Sequence, residues 1–186
     1  MSKEQVEEYE AAKVELIRQQ RVDILALKRL KIFSEDGEKV YFSSLWKERT
    51  VVIIFLRHFS CIGCRAHADQ VWNFHRQMKN LKMKIIFIGN GKPEVIKVFK
   101  EDMKLEDAEI YTDPTLETFT ACGMHRGVSN YINLKSFIEA RKIKKQGYKQ
   151  GKYTEDVGDL WQNGGVVGFK DPGKVIYHFT SKHLGD

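Results

Sequence analysis

One stretch governs what this chain can become: Thr50-Val51-Val52-Ile53-Ile54-Phe55-Leu56, running through Arg57-His58-Phe59-Ser60 into Cys61-Ile62-Gly63-Cys64. A strand with one wet face alternates apolar and polar residues. A continuous, β-branched apolar run belongs instead to a strand covered on both faces, as in parallel sheets. After the cysteines the period changes. Ala68, Val71, Trp72 and Met78 recur at three- and four-residue steps, which predicts a helix from Cys64 to about Lys79.

The rest of the chain repeats this alternation. Lys84 to Ile88 reads as a second buried strand, followed by the loop Gly89-Asn90-Gly91. Pro93 suits the first turn of the next helix, which reaches about Leu105, because its missing N–H would be unpaired there anyway. Ile110 to Thr112 is a short strand closed by Asp113-Pro114, and Leu116 to Cys122 a short helix stopped by Gly123. Upstream, apolar arms around Asp36-Gly37 make Ile32 to Phe42 a β-hairpin. Downstream, residues 133–152 read as an insertion, part helix and part Gly/Lys loop. Two strands then follow, Gly165 to Phe169 and Val175 to Phe179, joined by Asp171-Pro172-Gly173. This order predicts an α/β fold, a central mixed β-sheet with helices on both faces. Only seven residues follow Phe179, too few for a covering terminal helix.

A chain of 186 residues has room for one domain with a proper core. Glu4 to about Gln20 reads as a charged helix whose Val6, Tyr9, Leu16 and Ile17 form a partial apolar stripe. It either packs on the domain or makes a homodimer contact. The expected organisation is an N-terminal helical extension over residues 1–21 and one domain over 22–186, with Val22 to Phe33 entering its core. No apolar run approaches the ~18 residues of a membrane span. Met1 to Glu10 has no apolar signal core, so a cytoplasmic setting is expected. Seven of the basic residues behind the net charge of +6 lie between Lys135 and Lys152, among them Arg141, Lys144 and Lys149. With little aromatic interleaving, they suit a solvated helix and loop rather than a nucleic-acid surface.

Three cysteines, two of them in a CxxC, fit a reducing compartment, where such a pair is redox-active or binds a metal. If Ser60 or Cys61 is the N-cap, the unpaired first-turn N–H groups and the helix macrodipole favour thiolate at Cys61. Arg57 just upstream adds positive charge. The three-residue step returns Cys64 beneath Cys61, so Cys61, expected to be the more exposed, attacks and Cys64 resolves the mixed disulfide or sulfenic acid. His58 ends the core strand beside the thiols, either as a proton-transfer group or as a buried imidazole bonded to backbone.

The flanked motif, Val52 through Arg65, resembles the peroxiredoxin-like 2 family, the AhpC/TSA-type antioxidant-enzyme domain, in its branch with an Arg-His-Phe lead-in to the dithiol. Further likeness lies in Asp36-Gly37 with Val40 and Leu45-Trp46, in Tyr111-Thr112-Asp113-Pro114, in Ala121-Cys122-Gly123-Met124 and in Gln162-Asn163-Gly164-Gly165. The resemblance spans about residues 25–180. It implies a thioredoxin-like fold and thiol-dependent reduction of peroxides or disulfides, with no organic cofactor and with electrons from an external thiol such as thioredoxin or glutathione. By analogy of fold, Arg126 would project toward the thiols. The departures are as informative. His58 stands where typical peroxiredoxins carry Thr, no matching Arg precedes Gly165, and no Pro stands at the Gly164-Gly165 junction. These losses favour the rival expectation, a non-catalytic thioredoxin-fold binding scaffold.

Other constellations are weaker. Cys122-Gly123-Met124-His125 and the CxxC would together supply a Cys₃His metal set. The 57 residues between Cys64 and Cys122 exceed the spacing of compact zinc modules, and Cys122 falls on the apolar side of its helix. His67 and His75 are expected at or near the helix surface. Gly89-Asn90-Gly91-Lys92 lacks the Walker spacing and reads as an ordinary strand-to-helix loop.

Overall fold

In a computed structural model that describes residues 21–127, 134–152 and 154–181, the continuous run becomes strand β3, Thr50–Phe55, deep inside a seven-stranded sheet. Counting in chain order, β1 is Lys31–Phe33, β2 Lys39–Tyr41, β4 Met83–Gly89, β5 Glu109–Thr112, β6 Gly165–Lys170 and β7 Lys174–Thr180. The sheet order is β2-β1-β5-β4-β3-β6-β7. Strands β3, β4 and β5 run parallel, while β6 lies antiparallel to β3 and β1 antiparallel to β5. The sheet is therefore mixed, with its parallel pairs at the centre.

Both faces of β3 are buried, which is why its sequence shows no alternation. Val51, Ile53 and Phe55 pack with Phe42, Trp46, Phe119 and Phe169 on one face. Ile54 and Leu56 pack with Phe59, Phe87, Phe99, Ala68 and Ile96 on the other. Helices cover each side. The first face carries α1 (Ile24–Leu27), the 3₁₀ turn Phe42–Trp46 and α5 (Glu117–Ala121). The second carries α2 (Ile62–Trp72) and α4 (Glu94–Met103). Each fully buried Phe contributes about 1.5–3 kcal/mol relative to an exposed one.

The expected helix from Cys64 to Lys79 is interrupted. Helix α2 stops at Trp72 and a separate α3 runs His75–Asn80. The His75 ring stacks on Trp72 at 4.4 Å, and its Nδ1 bonds the Trp72 carbonyl at 2.6 Å. That carbonyl would serve Arg76 N–H in an unbroken helix, so the side chain replaces one rung of the ladder. Helix α4 ends two residues earlier than expected, at a left-handed Lys104. The insertion folds as α6, Leu134–Lys145, and packs Ile143 onto Ile62 and Ala66 of α2. The expected N-terminal helix with its dimer contact, and the chain end after Ser181, lie outside the described residues.

Candidate active site

The carboxyl end of β3 meets the amino end of α2 at the dithiol. Cys61 is the N-cap, in extended conformation, so Gly63 and Cys64 N–H groups face its sulfur. Neither makes a full capping bond. Cys61 and Cys64 are both free thiols. Their sulfurs share a hydrogen bond, and this is the largest influence lowering the Cys61 pKa to about 6. Burial opposes the change. Arg57 and the two backbone N–H groups reinforce it. The partner moves the other way: the same bond and its own burial push Cys64 well above the ordinary thiol range. One thiol is thus poised as thiolate while the other keeps its proton.

Arg57 is the organising side chain. Its backbone N–H donates to Cys64 Sγ at 3.2 Å and its Nη1 to Cys61 Sγ at 3.8 Å. Nη2 donates to the Leu160 carbonyl at 3.0 Å and Nε to the Gln162 carbonyl at 3.4 Å. The fork of a guanidinium lets one side chain grip two carbonyls and still face a sulfur. A cation is thus supplied from the end of β3, four residues before Cys61, in a sequence with no matching Arg before Gly165.

The strap that carries those carbonyls is fastened at several points. Val157 carbonyl accepts Phe59 N–H at 3.3 Å, and Asp156 carbonyl accepts Lys92 N–H at 2.8 Å. The Lys92 ammonium also pairs with the Asp156 carboxylate at 2.5 Å. Asn90 Nδ2 donates to the Asp159 carbonyl at 3.4 Å. The Gly89–Lys92 loop is accordingly an anchor for the strap. Arg126 does not reach the thiols; it forms an ion pair with Asp159, Nε to Oδ2 at 2.5 Å.

His58 is buried and bonded through Nδ1 to Ser60 Oγ at 3.0 Å. At Nδ1 the partner is a hydroxyl. Desolvation first, and then the Arg57 charge, lower its pKa to about 4, so it is neutral at pH 7. His67 is half-buried, and burial lowers its pKa too.

The expected exposure of the two thiols is corrected. Cys61 is not the more exposed thiol: it is 4% exposed and Cys64 8%. The reason is a covering segment from the insertion, with Gln150 Oε1 accepting Ile62 N–H at 3.2 Å and Gln150 Nε2 donating to the Ser60 carbonyl. Cys122 cannot join the pair in a Cys₃His set. It lies fully buried in the cluster on the opposite face of the sheet, where burial pushes its thiol far up. No group of metal-ligating side chains occurs among the described residues. Gln150, Asn90 and Gln162 were not legible as site residues, because each acts through an amide or a carbonyl on partners distant in sequence.

A mixed sheet whose central parallel strand delivers a dithiol to the start of a helix defines a thioredoxin-superfamily protein of the peroxiredoxin-like kind. The chain belongs to the AhpC/TSA antioxidant enzyme family, whose model matches residues 70–183. That match begins within α2, beyond the dithiol. The chain is 30% identical over 169 residues to thioredoxin-like protein AAED1, chloroplastic, of Arabidopsis thaliana, covering 87% of this chain and 67% of that protein. It is 32% identical over 157 residues to prostamide/prostaglandin F synthase of Danio rerio, covering 81% and 75%. Xanthomonas campestris peroxiredoxin Q shares the fold with a TM-score of 0.58 at 11% identity, over 82% of this chain and 80% of that one. Family membership supports a thiol redox function.

Proposed function

We propose that this protein is a thiol oxidoreductase that reduces a peroxide or a disulfide through Cys61 and Cys64. The observation that carries the reading is the setting of the two thiols: Cys61 caps the amino end of α2 with Arg57 Nη1 3.8 Å from its sulfur, and Cys64 lies within the first turn beside it, an arrangement that lowers the Cys61 pKa and raises that of Cys64. With a hydroperoxide, the Cys61 thiolate attacks one oxygen, the O–O bond breaks and an alcohol leaves after protonation. The enzyme holds a sulfenic acid. Cys64 thiol then attacks that sulfur, the S–S bond forms and water leaves. An external thiol system, one thioredoxin dithiol or two molecules of glutathione, reduces the disulfide and is itself oxidised to the corresponding disulfide. With a disulfide substrate, the first attack forms a mixed disulfide instead, and Cys64 releases it. His58, neutral at pH 7 and bonded to Ser60, is assigned a positioning role next to Cys61 rather than that of a charged acid.

A cytoplasmic setting, part of the same reading, would keep the dithiol reduced between turnovers. The prostamide/prostaglandin F synthase relatives add a prostaglandin-type substrate to those worth assaying. The test couples reduction of a hydroperoxide, a prostaglandin-type substrate and a protein disulfide to a thioredoxin system, with wild type beside Cys61→Ser. Turnover lost in Cys61→Ser supports the proposal. Equal turnover in both proteins would remove it. The burial of both sulfurs favours the second reading, a binding scaffold, and that reading stands if wild type turns over nothing.

A further inference from the structure

The segment that covers the dithiol is seated with unusual economy. Ile143 and Tyr148 pack against Ile62 and Ala66, and Tyr148 O–H donates to Asp69 Oδ2 at 2.6 Å. Two residues on, Gln150 uses both ends of its amide: Oε1 accepts Ile62 N–H and Nε2 donates to the Ser60 carbonyl. Gly151 N–H bonds the same carbonyl at 3.0 Å. A Cβ at Gly151 would lie 2.9 Å from Ser60 Cα and from Arg65 Nη1, so only glycine lets the backbone come this close.

The two groups that Gln150 occupies are the carbonyl just before Cys61 and the N–H just after it. Cys61 itself is extended, φ −64° and ψ 121°. Giving an N–H to residue i−1 and taking one from residue i+1 is what one residue of a neighbouring parallel strand does. The Gln150 side chain therefore stands in for a single residue of a strand laid beside Cys61. Any extended polypeptide approaching the sulfur from that side competes with Gln150 for the same pair of backbone groups. A small molecule makes no such demand.

We propose that Gln150 is a positioning residue that holds the dithiol closed to polypeptide partners, and that residues 146–152 must lift before a protein thiol or disulfide reaches Cys61. The inference rests on the thiol reading above for its purpose, and on geometry alone for its mechanism. A groove of about 360 Å³ runs along the same segment, lined by Phe59, Ser60, Arg65, Phe99, Gly151 and Val157.

The test measures access rather than turnover. The full chain, reduced, is alkylated at Cys61 by iodoacetamide and, separately, by a maleimide carried on a long polyethylene glycol chain, with the labelled peptide identified by mass spectrometry. Wild type, Gln150→Ala and Tyr148→Phe are compared. Loss of the two Gln150 bonds is expected to raise the bulky reagent's rate about tenfold and the small reagent's rate by less than ~threefold. Tyr148→Phe keeps the packing and loses one bond, so the bulky-to-small ratio rises about threefold. General loosening would accelerate both reagents together. A parallel rise, or an unchanged ratio in folded Tyr148→Phe, overturns the proposal even if Gln150→Ala does not fold. A protein that forms no reversible disulfide would sink the proposed function and leave this result readable.

Discussion

Replacing Arg57 by Met separates the electrostatics of the site from its packing. The guanidinium lies 3.8 Å from Cys61 Sγ. At an effective dielectric of ~20, Coulomb's law gives about 4 kcal/mol for full charges at that range. Opposite charges this close typically move an acid by roughly one to three pH units. Cys61 stands at about 6 with Arg57 in place, and ~8 is expected without it. The thiolate fraction at pH 7 then falls from ~90% to ~10%, and the rate of a small alkylating agent falls about tenfold. Met fills the space of the stem but leaves the Leu160 and Gln162 carbonyls without their guanidinium donors, at a cost of about 1–3 kcal/mol each. Arg57→Lys retains a charge without the fork, so its Cys61 pKa should rise by less than ~1. The measurement is thiolate ultraviolet absorbance against pH, checked by the alkylation rate of Cys61. An Arg57→Met midpoint within ~0.3 of wild type would refute the assignment of Arg57 as the thiolate's counter-ion.

Other outcomes follow from burial and contact. His58 is held near 4 against an ordinary 6.5, so the unfolded chain binds more protons in that window. Stability therefore falls as pH drops from about 6.5 to about 4, by up to ~3 kcal/mol, and His58→Gln flattens this slope in urea titrations across that range. A His58→Gln protein with the wild-type slope would count against it. Gly158 sits at φ +103°, and a Cβ there would lie 1.7 Å from Asn90 Oδ1. Gly158→Ala should cost roughly 3 kcal/mol or more and loosen the strap, seen as a lower denaturation midpoint. A wild-type midpoint would contradict that geometry. Cys122→Ser puts a hydroxyl into the apolar cluster opposite the dithiol, so it should lower stability by ~1–3 kcal/mol and leave the Cys61–Cys64 reduction potential unchanged. A changed potential would argue for a redox role at Cys122.

Much of the site's frame could be read from the chain alone, because it depends on local periodicity. The unbroken run at Thr50–Phe55 requires two covered faces, and the switch of period after Cys61 requires a helix start beside a strand end. Spacing then places Cys64 one turn below Cys61. The break at Trp72 escaped this reading because a single His75 side chain, rather than any change of pattern, takes over a backbone rung.

What tertiary structure alone decided is who meets the sulfurs. Arg57 faces Cys61 because carbonyls more than a hundred residues later hold its fork in place. Arg126, expected near the thiols, is captured by Asp159 at the surface, and Cys122 is carried to the other face of the sheet. Gln150 closes the approach to Cys61 from 88 residues beyond Ile62. Such contacts leave no periodic trace. They are made by amides and backbone carbonyls that any sequence contains, and only the path of the folded chain determines which of them arrive at the dithiol.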